Sequence, residues 1–407
     1  MADAPYDPFD DFNRFHALGV VRDPYPRLAE LRCEGSIHKG TLRGMCGQPE
    51  LPWETGNTYI VVAHDAATRV LLDGKTFSSA VYARSLGRVF GHSIIEMDEP
   101  EHSRYRSLIQ RAFSKRALDR WEHELVRPIV SRMIDRFATR GRADLVRELT
   151  FPFPVSVIAG MIGVDEADLP AFHRMATEAL SVTADPERGI RASQGLRELF
   201  AHTLPERRAA PRDDLMSVLA AAELDGTRLD DEAIYAFLRL LAPAGAETTY
   251  RSLSNLLFGL LRHPDQLDAL RADRALMPQA IEEGLRWEPP LLGIPRRTTR
   301  EVEIDGVVVP AGATVSVNLG AANRDEARFP EPDAFDIFRP QKTHVAFATG
   351  AHRCLGLHLA RMESTVALNA LLDRLSNLRL DPAAEDVHIS GLTFRSPLAL
   401  PVLFDPS

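Results

Sequence analysis

The longest helical pattern in the chain, from about Asp230 to Arg262, is least helical in its own middle. "LDDEAI" opens it with acids in the first turn, where they suit the positive end of a helix. "LAPAGAETTYR" (241–251) then puts Pro243 and Gly245 inside it, at roughly 3 and 1 kcal/mol relative to Ala. Pro243 supplies no N–H and meets the carbonyl of Arg239, so a local kink is expected. Ala244 and Thr248 are four residues apart and share a face, with Glu247 alongside. A small residue beside an alcohol leaves room for a diatomic ligand, and an adjacent acid can relay protons to it. The plainer alternative is an amphipathic helix with scattered polar residues, which the proline and glycine fit poorly.

Elsewhere helical periodicity dominates. It predicts helices over 23–32, 64–72, 100–112, 117–140, 154–162, 165–182, 187–203, 276–287 and 355–376. "TYIVVA" (58–63) reads as a strand, and "VEI", "VVV" and "TVSVNL" as short strands around Asp305-Gly306 and after "PAG". The stretch 80–95 reads as a loop or broken helix. "PERRAAPRDD" (205–214) reads as a polar loop whose two prolines prevent continuous helix. A poorly periodic stretch, 320–346, precedes a glycine-rich cysteine loop, and the tail is β-rich. Length alone, 407 residues, suggests two or three domains at about 150 residues each. There is no repeat, linker or compositional break, so one mainly α unit with small β-sheets is expected. It would comprise an N-terminal extension, 1–21, and a catalytic body, 22–405.

Net charge of -9 argues against a nucleic-acid-binding surface. Cys33, Cys46 and Cys354 cannot form a disulfide framework and show no CxxC spacing, which fits a reducing compartment. Cys33 and Cys46 read as ordinary free thiols. The acidic N-terminus lacks a signal-peptide pattern, and no apolar run approaches the roughly 18 residues of a membrane span. A cytoplasmic monomer with no membrane or nucleic-acid partner is expected.

"FATGAHRCLGLHLAR" (347–361) sets Cys354 between Gly350 and Gly356 at the mouth of a helix. Backbone N–H groups and a helix N-terminus favour a thiolate. The glycines let the backbone crowd close to a flat cofactor where a Cβ would clash, and Phe347 can cover one side of the sulfur. Zinc would want more Cys or His ligands than His352 and Cys354 supply. The loop alone leaves haem ligation, a nucleophilic cysteine and a structural thiol all open.

The full pattern, F-x-x-G-x-H-x-C-x-G-x-x-L-A-R, resembles the haem-binding loop of the cytochrome P-450 family, the haem-thiolate monooxygenases. The resemblance implies haem b (iron protoporphyrin IX) with Cys354 as proximal iron ligand. "AGAET" resembles the family's A-G-x-[D/E]-T oxygen-activation motif, with Glu247 where many relatives carry Asp. It implies catalytic roles for Glu247 and Thr248 and contact of Ala244 and Gly245 with the cofactor. Glu283-x-x-Arg286 resembles the family's ExxR pair, with Arg339 in "FDIFRP" as third member of a structural trio. "DEPEHSRYR" (98–106) matches a propionate-binding stretch at Asp98, Pro100, His102 and Arg106. Arg296, rather than its neighbour Arg297, matches a propionate arginine, and His352 a propionate contact. The resemblance spans roughly 22–405.

Such an enzyme inserts one atom of O₂ into a small organic substrate. No flavin or iron–sulfur signature is present, so electrons are expected from NAD(P)H through a ferredoxin reductase and a ferredoxin. Arg111, Lys115, Arg116 and Arg353 form a basic patch suited to an acidic partner. By family position Val81, Phe90, Phe237, Leu240, Leu291, Leu292, Ile294 and Phe394 would line a mostly hydrophobic pocket. Arg84 and Arg88 could anchor a carboxylate there, although solvated loop residues are the plainer reading. A gas-sensing haem protein and a peroxide-driven enzyme are the alternatives. Retention of Glu247 and Thr248 speaks against both.

Overall fold

Helices form most of the body, and the longest of them organises the rest. The computed structural model describes residues 7, 10, 13, 21–50, 56–180, 185–224 and 226–406. The helices that frame the site are, in chain order, α1 (Glu101–Gln110), α2 (Pro152–Ile162), α3 (Leu169–Ala179), α4 (Pro186–Ala209), α5 (Asp231–Arg262), α6 (Met277–Trp287) and α7 (Leu357–Arg374). Asp230 caps α5 by accepting a hydrogen bond from the Ala233 N–H at 2.7 Å, and Asp231 and Glu232 follow in its first turn. α5 then runs as one helix of 32 residues through Pro243, so the proline does not break it. Gly245 explains part of this tolerance. A Cβ there would stand 2.6 Å from Cδ1 of Ile158, so α2 seats directly on the α5 backbone.

Prolines shape three other places. α4 continues through Pro205 to Ala209, which overturns the expected loop over 205–214 for its first five residues. The reason is tertiary. Arg207, 1% exposed, donates to the Asp214 carboxylate at 2.5 Å and to the Gly163 carbonyl at 3.0 Å. That buried anchorage offsets the cost of a mid-helix proline, about 3 kcal/mol. The helical rod over 115–135 contains a π turn at Glu122–Val126, just before Pro128. A second π turn, Val146–Thr150, precedes Pro152. In both, the N–H after the turn reaches back five residues, Arg127 to Glu122 and Phe151 to Val146. Each proline removes an ordinary donor, and the backbone re-registers by one residue. Helices Leu215–Ala221 and Pro264–Ala272 have no counterpart in the periodicity reading.

One sheet has five strands: β1 (Ile37–Lys39), β2 (Thr58–Val61), β3 (Phe77–Ser78), β4 (Gly293–Thr298) and β5 (Thr314–Asn318), in the order β1-β2-β5-β4-β3. β5 pairs parallel with β2 and antiparallel with β4, which sets Val315 opposite Arg296. The alternation of β4 separates two adjacent arginines. Arg296 is buried and Arg297 only partly so. The β1 strand and a short helix, Leu42–Met45, occupy part of 33–57, of which residues 51–55 lie outside the described residues. Most of the 1–21 extension also lies outside them. Among the described residues, no helix is long and apolar enough to cross a membrane.

Candidate haem-thiolate site

The cysteine loop is built by backbone bonds before any side chain acts. The Cys354 N–H donates to the Phe347 carbonyl at 2.9 Å, and the Arg353 N–H to Gly350 at 3.1 Å. Gly350 has φ +77°, and a Cβ there would lie 2.5 Å from the Leu71 carbonyl oxygen. Its glycine therefore serves the turn and its packing on Leu71. At Gly356 an added Cβ would meet nothing within 4 Å, so that side of the loop faces open space. Cys354 keeps accessible surface, yet desolvation by surrounding protein pushes its thiol pKa up. Both hold when a side chain opens onto an internal space. The Gly356 N–H and then Arg106, Arg361 and Arg353 act the other way, favouring the thiolate.

Beside the cysteine stand four side chains of cationic type. His102 and His352 face one another, ring centroids 4.0 Å apart. Burial, then repulsion from His102, Arg296 and Arg106, pushes the His352 pKa down to about 3. Arg106 donates to the Arg353 carbonyl at 2.6 Å, and Arg296 to the carbonyl of its neighbour Pro295 at 2.9 Å. The carboxylate nearest this group is Glu99, 3.2 Å from Nδ1 of His102. Nε2 of His102 is buried without a hydrogen-bond partner. An orphaned buried nitrogen in a group where Glu99 is the one carboxylate paired, and only with His102, fits an anionic group not built from protein.

On α5 the motif divides between two faces. Ala244 is exposed and Thr248 half-buried, although Ala242, Pro243, Glu247 and Thr249 around them are buried. That face therefore opens onto space inside the body. The Thr248 hydroxyl donates to the Ala244 carbonyl at 2.9 Å. Glu247 turns away. Nε of Arg251 donates to it at 3.0 Å and Nη2 at 2.5 Å, in a pair with side chains 0% and 5% exposed. Arg251 also holds Ser396 at 2.8 Å and Asn13 at 3.0 Å. Burial raises the Glu247 pKa, and the Arg251 charge opposes the rise without cancelling it. The Cβ direction of Gly245 is taken by Ile158, so any contact with a cofactor would be through its backbone. Behind Glu247 lies a cavity of about 10 Å³ shared with His173 and Tyr250, the size of one water.

Glu283, Arg286 and Arg339 are brought together. Arg286 grips Glu283 in a two-pronged pair at 2.7 and 2.8 Å, and Arg339 joins it at 3.3 Å. The guanidinium of Arg286 also reaches the carbonyls of Asn323, Pro332 and Ala334. This ties the irregular stretch 320–346 to α6. Arg361 does similar work from the cysteine loop, meeting Glu282 at 2.6 and 2.7 Å and stacking on Phe347 at 4.9 Å. A cavity of about 480 Å³ lies among these residues, lined by Glu282, Arg339, Phe347, Arg353 and Arg361. No residue of "AGAETT" borders it, so it is not the space over Ala244.

The eight expected pocket residues divide. Val81, Leu291, Ile294 and Phe394 keep accessible surface, and Leu240 a little. Leu291 and Phe394 are joined by a β-bridge. Leu292 is 0% exposed and packs with Tyr25, Leu28 and Ile60 in a separate apolar cluster. Successive residues of an extended chain point to opposite sides, so Leu291 and Leu292 cannot both line one chamber. Phe90, 1% exposed, is likewise core, and Phe237, 3% exposed, nearly so. All four residues of the basic patch, Arg111, Lys115, Arg116 and Arg353, are exposed, and Arg111 also donates to the Glu223 carbonyl at 2.8 Å. Sequence reasoning missed Arg251, although its spacing from Glu247 was a readable signal. It also missed Tyr82, whose hydroxyl lies beside Arg296 and which no local pattern marks.

A mainly helical body with small sheets, an enclosed thiol and a carboxylate-poor cationic cluster defines a haem-thiolate protein. The comparisons agree. The Cytochrome P450 family model matches residues 187–385. The chain is 37% identical to the cytochrome P450 monooxygenase PikC of Streptomyces venezuelae over 95% of this chain and 92% of that one. It is 37% identical to the nocardicin C N-oxygenase of Nocardia uniformis subsp. tsuyamanensis, covering 94% and 96%. The solved structure of CYP109Q5 from Chondromyces apiculatus superposes with TM-score 0.86 at 35% identity, covering 96% and 97%. The chain belongs to the cytochrome P450 family, and it is a haem-dependent cytochrome P450 monooxygenase.

Proposed function

We propose that this monooxygenase oxidises a mostly apolar small organic molecule with O₂, using electrons from NAD(P)H delivered by a ferredoxin reductase and a ferredoxin. The observation that carries the site assignment is the enclosed Cys354 thiol beside Arg106 and Arg296, which have no carboxylate partner, and His102, whose buried Nε2 has none. Haem bound there supplies oxygen activation, which a thiolate ligand promotes by pushing electron density toward O–O cleavage. Cys354 is the ligand, with the Gly356 N–H and Arg106, Arg353 and Arg361 stabilising its charged form. His102, Arg106, Arg296 and His352 would hold the propionates, and the orphaned Nε2 of His102 would be free to donate to one of them. The Thr248 hydroxyl, steered by the Ala244 carbonyl, stands at the accessible face of α5 and hands protons on. Glu247 supplies them. Burial raises its pKa, so it holds a proton more readily than an exposed carboxylate, and it must swing from its pair with Arg251 to deliver one. Val81, Leu240, Leu291, Ile294 and Phe394 give the substrate its apolar surroundings. Lys115, Arg116 and Arg353 face the acidic electron donor.

The test is spectroscopic. Reduced protein exposed to carbon monoxide is expected to show the thiolate-type red shift of the Soret band, and Cys354→Ser to lose it. A wild-type protein that takes up haem without that shift refutes thiolate ligation.

A further inference from the structure

Arg239 is a buried cation with no anion. It lies on α5, one residue before Leu240 and five before Ala244, and is 8% exposed. Among the described residues it has no carboxylate within ion-pairing distance. Its contacts are to neutral oxygens and all are long. Nε reaches the Tyr235 carbonyl at 3.3 Å, and Nη1 reaches the Val89 carbonyl at 3.4 Å and Ser193 Oγ at 3.5 Å. A guanidinium has five N–H donors, and Nη2 finds no acceptor here. The buried arginines Arg207, Arg251 and Arg286 are each locked to a carboxylate, and Arg296, the other buried arginine without one, belongs to the cationic group beside Cys354.

The acids nearby do not fill the gap. Glu232, closest in electrostatic effect, is engaged by Arg197. Glu96 is bonded through Oε1 to His92 at 2.6 Å, and although its Oε2 is buried without a partner, it forms no ion pair with Arg239. Burial consequently pulls the Arg239 pKa down, with only partial relief from Glu232. Taking a guanidinium out of water without a partner is costly, and such sites are retained where a ligand supplies the missing charge. Gly91, at φ +85°, passes so close that a Cβ would stand 2.7 Å from Nη2. The neighbouring side chains Ala236, Phe237, Leu240, Val89 and Phe90 are apolar.

We infer that Arg239 anchors the carboxylate of an otherwise apolar substrate, held under the 79–91 segment with its hydrocarbon directed along α5 toward Ala244. This rests on the monooxygenase reading above and narrows it to an organic acid. The carboxylate takes Nη2 and the weakly used Nη1 as a two-pronged, charge-assisted pair. Arg84 and Arg88, exposed on the same segment, draw acids toward it.

The test compares three probes of equal chain length on haem-loaded protein: dodecanoate, methyl dodecanoate and 1-dodecanol. Dissociation constants are read from the spin-state change of the Soret band and from calorimetry. Dodecanoate is expected to bind at least about ten-fold tighter than the ester and the alcohol. Arg239→Met should abolish that preference while leaving ester binding within about two-fold, since apolar contacts are untouched. Arg239→Gln, which keeps a donor for the Val89 carbonyl but no charge, gives the same reading if the Met variant does not take up haem. Equal affinity for all three probes in the wild type overturns the inference, as does a preference that survives in both variants. A missing thiolate-type carbon monoxide band overturns the functional reading instead, because the titrations are interpreted only on protein that shows the band.

Discussion

At the residue scale, the decisive facts concern which polar groups have partners. Glu247 and Thr248 are adjacent in sequence, and their side chains answer to different neighbours. The hydroxyl is held by its own helix at the accessible face, while the carboxylate is buried against Arg251. Removing one member of a buried pair leaves an uncompensated charge, worth about 3–5 kcal/mol. Arg251→Met is therefore expected to lower unfolding free energy by about that amount in urea denaturation. A loss below about 1 kcal/mol would show that Glu247 had simply become protonated at little cost. Most of the candidate site was legible only through the family resemblance, which singled out Cys354, His352, His102, Arg106, Glu283 and Arg286. What the spacing could not carry was direction. Gly245 has the sequence signature of a cofactor contact, and its Cβ direction admits Ile158, which the motif does not announce.

At the element scale, charge pairs between helices fix the cysteine loop. Glu282 on α6 binds Arg361 and His344. Burial alone would raise its carboxyl pKa, but the hydrogen bonds from His344 and Arg361 prevail and hold it at about 2. The folded value lies below the unfolded one, so the unfolded chain binds the proton first on acidification. The stabilisation is present above pH ~4.5 and is lost as pH falls toward 2. Glu282→Gln should be less stable than wild type near neutrality and should show a flatter decline of Tm with acidification in that window. Parallel declines in the two proteins would refute the pairing. The helix ends show where sequence rules fail. Pro205 should have stopped α4, and a buried Arg207–Asp214 pair, seven residues apart, carries the helix past it. Propensity is local, whereas that pair forms only once the helix has docked.

For the whole molecule, the charge distribution separates interior from surface. Of the cations in 104–120, Arg106 turns inward to the cysteine loop and Arg120 is taken by Asp213 at 2.9 Å. Lys115 and Arg116 remain exposed on a chain of net charge -9. If they receive the ferredoxin, Lys115→Glu with Arg116→Glu should slow its reduction of this protein about ten-fold at low salt and weaken the salt dependence. The carbon monoxide spectrum should be unchanged. Unaltered reduction kinetics would move the docking surface elsewhere.

The sequence by itself determined the class of chemistry. A thiolate loop, an acid–alcohol pair on a long helix and cations set at helical spacing are each local patterns, and local patterns survive in a linear reading. Tertiary structure alone decided which side chains face open space. Burial is a property of elements packed from distant parts of the chain, so Leu291 and Leu292 look alike until β4 and its neighbours set their directions. It also left Arg239, an unremarkable arginine in "FLRLL", enclosed without a carboxylate. That vacancy arises where three separate segments, 79–91, α4 and α5, close over one guanidinium, and no spacing within any of them encodes it.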